Sequence, residues 1–336
     1  MPKNLKFTAP EDRIIRSKLP DNAHVVNVVN NVVEILKLIE ENPEITTKEL
    51  GTNLAMSERQ IQRVIKKLIG VNDMDVFFII FLFMTGLVFG SFFNVVIYRV
   101  PENKSIVKPR SACGACGTTL KPADLIPVFS FLLLKGKCRY CKTPISWQYP
   151  LVELITGLLF VILFLKFKLS LELLFSIYFV SILLIVFFID LKHMIIPNGL
   201  IILGLAGGFA LFTVRFFYND TILGNAAWYS PLLGMVTTSG FLFLVALLGM
   251  LVYKGDAMGM GDVKLYLPIG LFLGMKLGIL SLVFSVFIGG ITGLFLIMTG
   301  LKKRKSQIPF GPFIVAGTFL SLLFGNEILL WYLGRL

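Results

Sequence analysis

The alternation of apolar and polar positions splits the chain into two unlike parts. From residue 75 onward, apolar runs follow one another with few charges inside them. Each comes close to the roughly 20 residues an α-helix needs to cross a hydrocarbon core about 30 Å thick. Runs at about 76 to 97, 149 to 166, 171 to 190, 195 to 216, 229 to 252, 263 to 279, 281 to 300 and 309 to 333 predict eight transmembrane helices. The first 73 residues are polar, charged and helix-prone. In them Ile35, Leu38, Ile39, Leu50, Leu54, Ile61, Ile65 and Leu68 recur at helical spacing, as the core of a small three-helix unit would. Thr46 with Glu49 and Ser57 with Gln60 form two capping boxes, each starting a helix. The second capped helix carries Arg59, Gln60, Gln62, Arg63, Lys66 and Lys67, the pattern of a helix-turn-helix reader.

The expected architecture is therefore all-α. It comprises a helix-turn-helix-like domain at 1–73, a first span at 74–97, a polar loop at 98–148 and a polytopic region at 149–336. Composition agrees, since 56% hydrophobic and 15% charged residues exclude a soluble protein of 336 residues.

The net charge of +12 is unevenly distributed. Lys104, Lys108, Arg110, Lys121, Lys135, Lys137, Arg139 and Lys142 crowd the loop at 98–148, and Lys302, Lys303, Arg304 and Lys305 form a second cluster. The positive-inside rule assigns both to the cytoplasm, and eight alternating spans satisfy that at both loops. Membrane lipid is the partner this implies. On that topology residues 1–73 face away from the cytoplasm, so no nucleic acid is expected as a partner. Met74, two residues before the apolar run, stands where a shorter protein would begin. An expression fusion, a misplaced start codon and a genuine fusion all fit residues 1–73.

Two carboxylates close this pattern at the same side of the membrane: Asp190, ending "IVFFID", and Asp262, opening "DVKLYLPIGLF". Carboxylates at the edge of a bilayer are costly and mark a functional pathway or an ion pair. Taken singly, Asp262 reads as a helix N-cap facing headgroup water and Asp190 as a partner of Lys192. Taken together at matched depth they can share one proton, because adjacent like charges disfavour double ionisation. That arrangement activates water and protonates a leaving amine. Gly259 and Gly261, flanking Met260, are expected to turn the backbone with positive φ and to let another chain approach.

All four cysteines lie in the polar loop, Cys113 and Cys116 as one C-x2-C and Cys138 and Cys141 as another. Two such pairs supply four sulfurs to a closed tetrahedral zinc site, which is structural because no position is left for water. In a reducing cytosol disulfides are the weaker alternative. Glu153, just inside the second span, is expected to pair with Arg99, and Asn94 reads as helix-helix glue.

At these residues the chain resembles the type IV prepilin peptidases, membrane aspartic proteases of the GxGD type. "GMGDVK", Gly259 to Lys264, is similar to that family's second catalytic motif, and "DLKHMIIPN", Asp190 to Asn198, to its first. "GLVFGSFFNVVIYRVP", "PRSACGACG", "LLLKGKCRYC", "ISWQYPLVEL" and "IPFGPF" resemble further signatures in order, so the likeness covers residues 74 to about 325. It implies an endopeptidase that cuts the leader of type IV prepilins or pseudopilins after a glycine on the cytoplasmic side. It also implies methylation of the new N-terminal residue with S-adenosylmethionine. Asp190 and Asp262 would be the protease pair, with Gly259, Gly261 and Lys264 in the active-site loop and Gly136 and Lys137 assisting methyl transfer. From chemistry alone, Lys137 is equally a solvated lysine near anionic lipid.

Two other classes compete with this reading. A membrane-tethered transcription regulator would use the spans only as anchors. A proton-coupled transporter would place its carboxylates nearer mid-bilayer than Asp190 and Asp262 stand.

Overall fold

A computed structural model describes residues 47–54, 56–57, 73–218, 227–253, 259–303 and 306–334. The chain divides into two compact units, Met1–Phe77 and Phe78–Leu336. In the first, helix α1 spans Thr47–Asn53 with Glu49 in its first turn, and Leu50 is buried. Thr46, Gln60, Ile35, Leu38, Ile39, Ile61, Ile65, Leu68 and the basic residues Arg59, Arg63, Lys66 and Lys67 lie outside the described residues. So do Arg304 and Lys305.

Among the described residues seven helices are long and apolar enough to cross a membrane, and no β-strand forms. The long helices are α2 (Asp73–Arg99), α4 (Gln148–Phe167), α5 (Leu171–His193), α6 (Asn198–Tyr218), α7 (Ser230–Tyr253), α8 (Met260–Met298) and α9 (Gly311–Leu333). A short helix, α3 (Phe129–Leu133), belongs to the loop between α2 and α4. Large apolar side chains such as Phe287, Leu294 and Met298 stay exposed on these helices, a surface suited to hydrocarbon rather than water.

The predicted separation of residues 263–279 from 281–300 is corrected by α8. It is one run of 39 residues, broken not near residue 280 but at Gly274, where φ is 75° and ψ is −179°. That region of backbone space belongs almost only to glycine. Its effect is a reversal. The Tyr266 and Ser285 hydroxyls hydrogen-bond at 2.9 Å although they stand 19 residues apart. A straight helix would separate them by about 28 Å. The two arms of α8 therefore run antiparallel, and the chain crosses from one end of the bundle to the other eight times.

Contacts at the two ends of the bundle agree with this path. At one end the Met275 amide donates to Ser230 Oγ at 3.2 Å, and Lys166 pairs with Glu327. At the opposite end the Gly311 amide meets Asp190.

α8 is the central element, packed against α6, α7 and α9, while α5 joins α4, α6 and α9. Phe179 of α5 stacks on Phe272 of α8 with ring centroids 4.2 Å apart. Between helices, hydroxyls satisfy one another or a neighbouring carbonyl. Ser281 pairs with Thr318 at 2.9 Å, Ser321 donates to the Leu277 carbonyl, and Ser239 donates to the Val263 carbonyl. Small hydroxyl residues serve this purpose in lipid, where hydrophobic burial no longer drives helices together.

Candidate active site

Helix α5 carries Asp190 to the end of the bundle and then stops. Met194 adopts the left-handed conformation, with φ 54° and ψ 37°, and its amide donates back to the Asp190 carbonyl. Pro197 follows and α6 starts at Asn198, so "DLKHMIIPN" is a helix end, a tight connection and a helix start. Asp190 is 5% exposed, and its Oδ2 accepts the Gly311 amide, at the first residue of α9, at 2.9 Å.

Asp262 lies in the first turn of α8, where the helix dipole favours a carboxylate. The N-cap is Gly259, so Asp262 is not the cap that a single-residue reading suggests. Its Oδ2 folds back over Gly259, 3.4 Å from where a Cβ would stand, and the side chain is half-buried. Asp190 at the last turn of α5 and Asp262 at the first turn of α8 stand at the same end of the bundle. Asp190 does not pair with Lys192, whose ammonium sits 5.6 Å from the centroid of the Tyr98 ring.

The two motif stretches also touch away from their aspartates. Lys264 Nζ donates to Asn198 Oδ1 at 3.4 Å, and a Cβ on Gly261 would lie 3.2 Å from Cβ of Ile196. This corrects the expectation of positive φ. Gly259 has φ −66° and Gly261 is helical, so the residue preceding Asp262 is small because the α5–α6 connection packs on it. Gly311 is the contributor that span counting alone does not reveal. A Cβ there would stand 2.5 Å from Asp190 Oδ2. The signal lay in the order G-P at the start of an apolar run, a helix N-terminus with a free amide.

The cysteine loop forms two like-shaped knuckles. The Cys113 and Cys138 amides donate to the Thr118 and Thr143 carbonyls at 3.0 and 2.8 Å. The Gly117 and Lys142 amides return to the Cys113 and Cys138 carbonyls. All four sulfurs of Cys113, Cys116, Cys138 and Cys141 lie within 4.8 Å of one another, Cys113 and Cys141 at 3.7 Å. A tetrahedron with metal–sulfur bonds of about 2.3 Å needs sulfurs about 3.8 Å apart, so the residues fit a metal ion. Metal binding requires thiolates. The Thr143 hydroxyl and then its amide push Cys141 down to about 6, and Thr118 likewise lowers Cys116. Asp124, held well down by Arg139, also takes the Tyr140 hydroxyl and so ties the second knuckle to the rest of the loop.

Gly136 has φ +69°, and a Cβ there would meet the Phe131 ring at 3.1 Å; Lys137 is exposed. The expected Arg99–Glu153 ion pair does not form. Arg99 donates to the Ser105 and Pro109 carbonyls, while Glu153 Oε2 accepts the Val128 amide at 2.7 Å. A loop carbonyl pair lies nearer to the guanidinium than the buried carboxylate does. Asn94 joins α2 to α4 through the Tyr149 carbonyl at 3.0 Å, as helix glue should.

Paired acidic side chains at one end of an eight-crossing helical bundle, beside a tetrathiolate loop, define a polytopic membrane protein of aspartic-peptidase type. Comparison with known proteins gives its family. Residues 84–167 match the bacterial peptidase A24 N-terminal domain, and residues 177–294 match the type IV leader peptidase family. Residues 31–69 match a winged helix-turn-helix DNA-binding family. The chain is 39% identical to a prepilin leader peptidase/N-methyltransferase of Bacillus subtilis over 253 residues, covering 75% of this chain and 96% of the relative. A protein of the same name from Myxococcus xanthus is 39% identical over 233 residues, covering 68% and 67%. One from Pseudomonas aeruginosa is 31% identical over 284 residues, covering 76% and 93%. No solved structure matches the chain. The chain belongs to the type IV leader peptidase family.

Proposed function

We propose that this protein is a multi-pass enzyme of the bacterial cytoplasmic membrane that removes the leader of type IV prepilins or pseudopilins and then methylates the new N-terminus. The observation that carries the reading is that Asp190 at the end of α5 and Asp262 at the start of α8 stand at one end of the bundle, where Gly261 packs on Ile196 and Lys264 reaches Asn198. The basic residues of the α2–α4 and α8–α9 loops support a cytoplasmic side for that end, where a basic leader would lie.

In the proposed cleavage the ionised carboxylate of the pair takes a proton from water as its oxygen attacks the scissile carbonyl carbon. The protonated one gives its proton to the departing amine. The Gly311 amide holds Asp190 in orientation, and Lys264 with Asn198 keeps the α8 entrance against the α5–α6 connection. Exposed Gly259 leaves the approach to Asp262 unobstructed, while Gly261 makes room for the α5–α6 connection.

Cys113, Cys116, Cys138 and Cys141 would hold zinc, which supplies a structural cross-link between the knuckles. S-adenosylmethionine is the methyl donor proposed, supplying an electrophilic methyl group. Gly136 supports that step by shaping the turn beside Phe131, with Lys137 at the loop surface. Mass spectrometry of a co-expressed prepilin tests the whole reading, since it reports the cut site and the methyl group together. An uncut, unmethylated prepilin contradicts it.

A membrane-tethered regulator draws support from the match of residues 31–69 to a DNA-binding family. It explains those residues alone and gives no role to the paired aspartates or to the cysteine loop.

A further inference from the structure

Between α2, α4 and the cysteine loop lies a cavity of about 580 Å³, inside the range of about 300–1,000 Å³ typical of small-molecule sites. Four charged side chains line it: Arg99, Asp124, Arg139 and Glu153. Three are engaged elsewhere, Arg99 with the Ser105 and Pro109 carbonyls and Asp124 with Arg139. Glu153, 7% exposed, has no ion-pair partner among the described residues.

Glu153 is nevertheless held in place. Its Oε2 accepts the amide of Val128, a β-branched residue at φ 59°, a conformation that persists only where the surroundings impose it. Gly90 lets α2 approach the glutamate's own backbone, since a Cβ there would stand 2.6 Å from the Glu153 Cα.

Behind the cavity lining a second polar atom lacks a partner. Asn94 is 3% exposed, and while its amide nitrogen donates to the Tyr149 and Gly90 carbonyls, its Oδ1 has no hydrogen-bond partner. Such an orphan buried acceptor calls for a donor. A carboxylate without a cation on the wall of a roomy cavity is complementary to an amine. The cavity also borders the aspartate-bearing helix end. Tyr98 lines it, and the ring of Tyr98 carries the ammonium of Lys192, two residues beyond Asp190.

We infer that this cavity is the methyl-transfer site, in which Glu153 receives the α-amine of the freshly cut pilin and accepts the proton that the amine gives up. The inference rests on the methyl-transfer half of the function proposed above. In the step, the amine lone pair attacks the methyl carbon of the sulfonium donor. The carbon–sulfur bond breaks with its electron pair going to sulfur, which leaves as a neutral thioether. The proton lost from nitrogen passes to the Glu153 carboxylate. No other co-reactant is needed.

The test uses the full chain, a prepilin and S-adenosylmethionine, and reads cut and methylated product separately. The parent protein comes first: if it cuts but never methylates, the functional reading fails and not this residue assignment. Given a methylating parent, Glu153→Gln is expected to cut the leader at the parental rate and to lose methylation by about 100-fold or more, the ordinary weight of a general base. Glu153→Asp should retain measurable methylation. Parental methylation in Glu153→Gln overturns the inference. So does loss of cleavage in both variants, because the assignment confines Glu153 to methyl transfer.

Discussion

The Gly311 amide donates to Asp190 Oδ2 at 2.9 Å, joining the first residue of the last helix to a carboxylate 121 residues earlier. The contact leaves no room for a side chain, because a Cβ on Gly311 would fall 2.5 Å from that oxygen. A buried carboxylate with one fixed backbone donor is oriented, and orientation is what a shared-proton mechanism requires.

Gly311→Ala should therefore displace the Asp190 carboxylate rather than unfold the bundle. Misplacement of a reacting group by about 1 Å costs on the order of 100-fold in rate. Leader cleavage is expected to fall by at least about tenfold while thermal stability changes little. Unchanged cleavage would show that the amide contact is incidental.

The reversal of α8 depends on one backbone position. At φ 75° and ψ −179°, Gly274→Ala is strained by about 1–3 kcal/mol, and the arm carrying Asp262 loses its anchor. Thermal unfolding in detergent should fall accordingly, with cleavage reduced in parallel. Parental stability would mean that the arms do not meet as described.

Within that hairpin the hydroxyl pair is asymmetric. Ser285 Oγ donates to the Ser281 carbonyl at 2.7 Å, so the Tyr266 hydroxyl is left to donate to Ser285. Ser285→Ala leaves the fully buried Tyr266 hydroxyl with only the neighbouring Ser281 hydroxyl in reach and should cost about 1–3 kcal/mol. Tyr266→Phe leaves Ser285 bonded and should cost less, about 0.5–1.5 kcal/mol. Denaturation of the two variants side by side checks the order.

How far the chain could be read from its residues varies by element. Asp190 and Asp262 were legible because each interrupts an apolar run at a matched depth, and the cysteines because their spacing specifies paired turns. The break in α8 was not, since hydropathy continues without a dip through Gly274 and only backbone conformation marks the reversal. Arg99 and Glu153 look like a pair from sequence, which shows opposite charges near one membrane edge but not the loop carbonyls that reach the guanidinium first. The cavity between α2, α4 and the cysteine loop was invisible for a similar reason. It is space left by three separate segments, and no local pattern encodes it.

The cysteine loop makes a separable prediction. Metal analysis of the purified parent should find zinc, and Cys113→Ser or chelation should remove it and render residues 98–148 labile to protease. Cys113 and Cys138 line the cavity that contains Glu153, whereas the aspartates stand on α5 and α8. Methylation is therefore expected to be lost before cleavage. A parent protein without zinc would contradict the metal assignment.

The decisive measurement is leader removal from a co-expressed prepilin by the Asp190→Asn and Asp262→Asn proteins, followed by mass spectrometry. Both should be expressed and hold their zinc yet leave the leader uncut. Processing retained by either variant would mean that the two carboxylates do not share the chemistry.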